Sequence, residues 1–323
     1  MPTTLQDIAN ESGVDISTVS RALRDDPRVR ENTRNKINEL AHQMGYRPNL
    51  TARNLAAGST RTVWLLLPSL PFQIESELAQ YAGPLMREHG YDLLIALFHS
   101  KKDVFTHLLN RLNQGVADGA IIMPNMDTST PEIDRLVQSN FPMVFIDRYI
   151  KNLPIPVVTT DQLNCSKELV KNCIEQKVEG FIILFPNNNE VVRKRHKGAI
   201  DAVLKSKLPY TNANHLDNIE ISKLKNCQSI GIIANDSYAI RKIIQKETKN
   251  LNKHKLIFAC FDTWHGDAYP SKSVTVCHQD FRSMANIAVK EILKQVERKS
   301  LPSRRQTFKV PAEKYETIVP SLS

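Results

Sequence analysis

Two groups of residues have the types and spacing for molecular recognition. Ile16, Ser17, Ser20 and Arg21 share one side of a helix expected over Ile16–Leu23, opposite Val19 and Leu23. A guanidinium such as that of Arg21 can donate two parallel hydrogen bonds to a guanine edge. The second group is acidic. Asp147 follows the apolar run Met143–Ile146, Asn235 and Asp236 follow Ile230–Ala234, and Asp262 follows Leu256–Phe261. Open α/β sheets bind ligands at the C-terminal ends of their strands. A carboxylate there can accept from two hydroxyls. Plainer uses stay open: Asp236 can cap a helix, and Asp147 with Arg148 can form an exposed ion pair.

Signatures of catalysis are absent. The nine histidines show no HxxxH or HExxH spacing, and no GxGxxG, GxxxxGK[ST] or GxSxG occurs. Asp147 and Asp262 could form an acid/base pair, but nothing places a nucleophile or electrophile between them. Cys165, Cys173, Cys227, Cys260 and Cys277 include no CxxC pair, so reduced, buried thiols are expected. We expect no enzyme, no metal and no cofactor.

The elements that must position these residues fall into two textures. Residues 1–60 read as short helices. Thr3 or Thr4 caps a first helix, with Gln6 or Asp7 three residues on, as in a capping box. Gly13 allows a tight turn, and Asp15 is placed to cap the second helix. A third helix, about Asn32–Met44, turns Ile37, Leu40 and Ala41 inward and ends at Gly45. Pro48 suits the first turn of a short fourth helix, about 49–57, that presents Ala52, Arg53 and Leu55. Such a helix is too short to be stable alone. It should order only against a partner helix and DNA.

From residue 61 onward, apolar strands alternate with helical patterns. Strands are expected at Val63–Leu67, Leu93–Leu97, Ala120–Met123, Met143–Ile146, Val157–Thr160, Phe181–Phe185, Ile230–Ala234, Leu256–Phe261 and Val274–Cys277. This alternation implies parallel sheets covered by helices on both faces, in one sheet or two.

The chain has 323 residues, enough for two or three domains. Hydrophobic residues make up 41% and charged residues 24%, an ordinary soluble balance. Val63–Leu67 is far short of the ~20 residues of a membrane span. The opening MPTTLQDIAN lacks the features of a secretory signal, so a cytoplasmic protein is expected. The net charge of +9 is uneven: +1 over residues 1–60, −3 over 61–150 and +11 over 151–323. Much of the C-terminal excess is dispersed lysine, which suits a solvated surface; a nucleic acid or an anionic ligand is the other reading.

The segments TLQDIA, SGV, STVSRAL, TR, GYRPN and ARNLAAG, in this order and spacing, resemble the LacI/GalR family of bacterial transcription regulators. The resemblance extends over essentially the whole chain and is strongest in residues 4–58. It implies a helix-turn-helix DNA-binding domain over 1–60 with a hinge helix at about 49–57. Ile16, Ser17 and Arg21 would read base edges. Thr4, Thr18, Ser20, Thr33 and Asn49 would contact phosphates. Leu55, with Ala52 beside it, would wedge into the minor groove and kink the duplex. Two residues depart from the family pattern. Asp15 replaces a serine before the recognition helix. Arg30 replaces the serine cap of the third helix, leaving that cap lost or taken by Asn32.

For residues 61–323 the resemblance implies a periplasmic-binding-protein-like effector domain. Two doubly wound parallel-sheet subdomains would be joined by three crossovers, one over about 61–160 and 281–300, the other over 161–280 and 305–323. Effector contacts would come from Phe72, Asp147, Arg195, Asn235, Asp236, Asp262 and Phe281, with Phe281 packing on the ligand. Carboxylates, an arginine and an aromatic face suit a polyol, so a sugar-like effector is expected. Arg193–Lys197, RKRHK, either favours a phosphorylated sugar or is a plain exposed face. The run 205–229 looks compressed. The implied partners are a pseudo-palindromic double-stranded operator, a small effector and a second copy of the chain, with no membrane. The family's C-terminal tetramerising heptads are missing from VPSLS, which favours a dimer. The rival readings are a degenerate sensor that binds DNA without an effector and a stand-alone solute-binding protein. The first sixty residues speak against the latter.

Overall fold

The computed structural model describes residues 3–47, 58–70, 73–125, 129–186, 189–215, 219–246, 251, 253–262 and 273–318. Internal contacts divide the chain into two units, Met1–Thr60 and Arg61–Ser323.

The first unit is built from α1 (Leu5–Ser12), α2 (Ile16–Ala22) and α3 (Glu31–Gln43). Thr4 caps α1: its hydroxyl accepts from the Asp7 amide at 3.3 Å, while the Asp7 carboxylate accepts from the Thr4 amide at 2.8 Å. Thr3 instead donates to the Met44 carbonyl at 2.7 Å, tying the chain start to the end of α3. Gly13, at φ +70°, ends α1 in a left-handed turn that a side chain would disfavour. Ile8, Ala9, Val19, Ala22, Val29, Ile37 and Ala41 form the core, with Leu5, Leu23 and Leu40 packed around it. Two expectations need correction. Asp15 stands at the N-cap position of α2 but makes no side-chain cap bond. Val19 is paired inward with Ala22; Leu23 is only half-buried, because the helix ends before completing that turn. At α3 the cap is lost, since Arg30 occupies the position without a capping bond.

The second unit holds two six-stranded sheets. The first runs β1 (Thr62–Leu67), α4 (Gln73–Glu88), β2 (Asp92–Leu97), α5 (Lys102–Asn113), β3 (Gly119–Ile122), α6 (Pro131–Gln138), β4 (Met143–Ile146) and β5 (Val157–Thr160). The chain then crosses to α7 (Gln162–Glu175), β6 (Gly180–Leu184), α8 (Glu190–Ser206), β7 (Tyr210–Ala213), a single tight helical turn Ile221–Leu224, β8 (Ser229–Ala234), α9 (Ser237–Lys246), β9 (Lys255–Phe261) and β10 (Val274–Gln279). It returns for α10 (Phe281–Arg298) and β11 (Thr307–Val310), and crosses again to β12 (Ala312–Ile318). The strand orders are β11-β5-β4-β3-β1-β2 and β12-β10-β9-β8-β6-β7. All pairings are parallel except β12 on β10. Strands β3, β4, β5, β6 and β8 are buried throughout, the pattern of sheets covered on both faces. Each sheet accordingly packs a hydrophobic layer on either side.

Twelve strands therefore replace the nine expected among the described residues. The three extra ones, β7, β11 and β12, lie at sheet edges and carry half-exposed, polar sequences, so no apolar run marks them. One boundary moves: β11 pairs with β5 in the first sheet, so the last crossover falls at residue 311 and 305–310 does not belong to the second subdomain. The compressed run 205–229 contains β7, and among its described residues only the turn Ile221–Leu224 stands where a doubly wound unit would carry a helix.

Candidate functional site

In the first unit, α2 leaves Ile16 43% exposed, with Ser17 and Arg21 also exposed. Thr18, Ser20 and Thr33 are half-buried and Thr4 is exposed. The Val19–Ala22 core stripe holds this face outward. Asn49, Ala52, Leu55 and Phe72 lie outside the described residues.

In the second unit, the polar candidates gather at the C-terminal strand ends. Arg195, on α8 and only 5% exposed, is the hub. Its Nε donates to Gln162 Oε1 at 2.7 Å, and its Nη1 donates to the Asn235 carbonyl at 3.0 Å and to Asn235 Oδ1 at 3.3 Å. The same Nη1 lies 3.8 Å from Asp262 Oδ2, and the guanidinium stacks 3.9 Å over the Phe261 ring. Two features of α8 place it there. Asn189 caps the helix by accepting from the Val192 amide at 3.0 Å. Gly198 lets α8 press on α7, since a Cβ there would meet the Leu163 carbonyl oxygen at 2.2 Å. Arg195 is thus brought beside Gln162 of α7.

Gln279 joins the network from the end of β10. Its amide nitrogen donates to Asp262 Oδ1, and its oxygen accepts from Gln162 Nε2 at 3.1 Å and from Thr160 Oγ1 at 2.7 Å. The Thr160 bond links the strand ends of the two sheets. Burial pushes the Asp262 carboxyl above its ordinary range, and the Arg195 charge opposes that rise. Asp236 accepts from the Ala239 amide at 2.9 Å, so it does cap α9, and it accepts from Asn235 Nδ2 at 2.9 Å.

At the first sheet, Asp147 is only 5% exposed. Its Oδ2 lies 3.6 Å from Arg148 Nε, and its Oδ1 has no hydrogen-bond partner. The exposed ion pair is therefore corrected to a buried carboxylate. Both Asp147 and Asp262 hold left-handed backbone, at φ +61° and +66°, a conformation uncommon outside glycine and found often at functional loops. Glu75, in the first turn of α4, is 3% exposed. Burial pushes its carboxyl up to about 7. Its Oε1 accepts from Ser69 Oγ at 3.5 Å, and its Oε2 has no partner.

Phe281 lies in the core layer of the first sheet. Its ring is 2% exposed and packs with Met284, Ala285 and the strand residues Leu65 and Val144. The RKRHK run is divided around its helix. Arg193 pairs with Glu190 at 3.1 Å, Lys194 lies 5.0 Å over the Tyr149 ring, and His196 meets Asn212 Oδ1 at 2.9 Å. Glu75, Gln162, Arg148 and Gln279 were missed from sequence. Glu75 carried a signal: it falls on the inward stripe with Leu78, Ala82 and Met86, where a charge is out of place. Among the described residues no three His, Cys, Asp or Glu side chains are placed to hold a metal, and no helix is long and apolar enough to cross a membrane.

These features define a class: a helix-turn-helix unit joined in sequence to a two-sheet α/β unit with a polar network at its strand ends. Residues 4–49 match the family described as "Bacterial regulatory proteins, lacI family". Catabolite control protein A of Priestia megaterium is 29% identical over 211 residues, 65% of this chain and 63% of that protein. The match to catabolite control protein A of Staphylococcus aureus (strain Mu50 / ATCC 700699) is 30% over 185 residues, 57% of this chain. The chain thus spans only 63% and 56% of the length of these two curated relatives. The HTH-type transcriptional regulator RegA of Clostridium saccharobutylicum is 25% identical over 317 residues, 93% of this chain and 95% of that one. The same fold occurs in the lac repressor dimer bound to operator and the anti-inducer ONPF, with TM-score 0.75, 17% identity and 98% of both chains covered. It occurs too in the Cra dual regulator of Pseudomonas putida in complex with fructose 1-phosphate, with TM-score 0.65, 18% identity, 80% of this chain and 99% of that chain. The first unit is thus similar to the lacI family of bacterial regulatory proteins over residues 4–49, and the whole chain shares its fold with the lac repressor.

Proposed function

We propose that this protein is a dimeric, sequence-specific DNA-binding transcription regulator, acting as a repressor in the cytoplasm, and that a sugar-like ligand controls it. It is a binding protein rather than an enzyme. One observation carries the DNA-binding half: α2 presents Ile16, Ser17 and Arg21 outward from a well-packed three-helix core. A helix so held can enter a major groove, and a twofold dimer then reads two half-sites about one helical turn, ~34–36 Å, apart. Thr4, Thr18, Ser20, Thr33 and Asn49 set its register on phosphates. Ala52 and Leu55 support a central kink from the minor groove.

The effector half rests on the strand-end network. Arg195, Asp262, Asn235 and Gln279 supply donors and acceptors in a desolvated setting, facing Asp147 from the other sheet. This suits a polyol. The intact network favours a working sensor over a constitutive DNA binder. Phe281, in the core layer behind this network, would back the ligand site.

Selection of bound fragments from random DNA tests the reading. It should enrich a pseudo-palindrome, and Arg21→Ala should cost about 1–3 kcal/mol on that site while relaxing the preference at one base pair. Equal binding to all fragments at moderate salt refutes it.

A further inference from the structure

The two strand-end clusters differ in one respect. At the second sheet, Arg195, Asp262, Asn235, Asp236 and Gln279 satisfy one another. At the first sheet they do not. Glu75 Oε2 and Asp147 Oδ1 are both buried without a hydrogen-bond partner. Their residues are 3% and 5% exposed. Among the described residues the cation acting on both acids is Arg148, whose Nε is itself without a hydrogen-bond partner and stands 3.6 Å from the other oxygen of Asp147. Ser69 meets Glu75 only at Oε1. Two acids therefore face one guanidinium, with one acceptor oxygen of each left over. Buried acceptors without donors are uncommon and costly.

We propose that these two oxygens receive an ammonium group, so that the controlling ligand is an aminated polyol of the amino-sugar class. The amine lies against Glu75 and Asp147, and the hydroxyls turn to Arg195, Asp262 and Asn235. This rests on the reading of the strand-end network as the effector site. The chemistry of the leftover groups selects the amine. An ammonium carries three donors and no acceptor, which matches two unpartnered carboxylate oxygens. A hydroxyl brings one donor and lone pairs that gain nothing from a second acid. A phosphate would set like charges together beside Glu75 and Asp147. Four of the five residues of the basic run that might have received it are engaged by Glu190, Tyr149, Asn212 and the Arg195 network, and the fifth, Lys197, is exposed. Asp262, which faces Asp147 from the second sheet, adds to the negative field around the amine.

Calorimetric titration of the full chain tests this with three matched pairs: D-glucosamine and D-glucose, D-galactosamine and D-galactose, D-mannosamine and D-mannose. At least one amino sugar should bind tenfold or more tighter than its neutral parent. Glu75→Gln and, separately, Asp147→Asn should each erase that preference, and Arg195→Ala should weaken both members of the pair. Two variants are used because one may fold poorly. A neutral parent that binds as tightly as its amine, or an unchanged preference in both variants, overturns the amino-sugar assignment and leaves the effector site standing. No binding by any of the six probes overturns the assignment. An operator affinity that additionally ignores a broad panel of neutral and phosphorylated sugars removes the effector site as well.

Discussion

Glu75 makes the ligand-free protein sensitive to pH. Its carboxyl sits at about 7 in the fold against an ordinary 4.5. The folded state therefore keeps a proton that the unfolded chain releases between these values. Stability must fall as pH rises through that window and level off above it. Removing the ionisable group removes the slope. Urea unfolding of the wild type and Glu75→Gln should show the variant gaining about 2 kcal/mol on the wild type between pH 5 and pH 8. Parallel pH curves for the two proteins would contradict the placement. The charge of Glu75 could have been flagged from sequence, because it interrupts an apolar stripe. Its lack of a partner could not, because Ser69, Asp147 and Arg148 reach it only through the ends of β1 and β4.

The α7–α8 pair decides where the central cation goes. Arg195 is buried because α8 lies directly on α7, and the contact depends on Gly198, which faces the Leu163 backbone. A methyl group there has nowhere to go, since the obstacle is a carbonyl and not a movable side-chain tip. Gly198→Ala should cost about 2 kcal/mol or more by overpacking. It should also shift Arg195 away from Gln162, so ligand affinity falls together with the melting temperature. Full stability with full ligand binding would show that the helices can separate freely. Strand-end placement made Asp147, Asp236 and Asp262 visible as candidates. Gln162, on the first turn of α7, gave no such signal. A glutamine in a helix becomes part of a site only when another helix brings an arginine to it.

The proposed control of DNA binding by a ligand would be a property of the whole chain. A ligand can change operator affinity only if it binds two arrangements of the protein unequally, and a tenfold change corresponds to about 1.4 kcal/mol of coupling. Reciprocity then requires operator DNA to change ligand affinity by the same factor. Titrating the ligand with and without operator should return equal factors from both directions. Unequal factors would mean that the two sites are not coupled through one equilibrium. Operator binding should also weaken linearly in log affinity against log salt, because several phosphates are neutralised per half-site. The +1 balance of residues 1–60 does not oppose this, since recognition depends on where positive groups stand and not on their sum.

What the sequence determined by itself was local and periodic. Thr4 and Asp7 specify a helix start, Ile8, Val19 and Ile37 specify an inward face, and runs such as Met143–Ile146 specify fully buried strands. Each follows from interactions within a few residues or from a repeat of 2 or 3.6. The tertiary structure decided what depends on distant pairing. Edge strands β7, β11 and β12 exist because a neighbour offers hydrogen bonds, so their own composition announces little. Phe281 is part of the core because α10 packs on the first sheet. Arg195, Asp262, Gln279 and Thr160 became one network because the crossovers bring together segments more than a hundred residues apart, and burial then makes every satisfied or unsatisfied oxygen count.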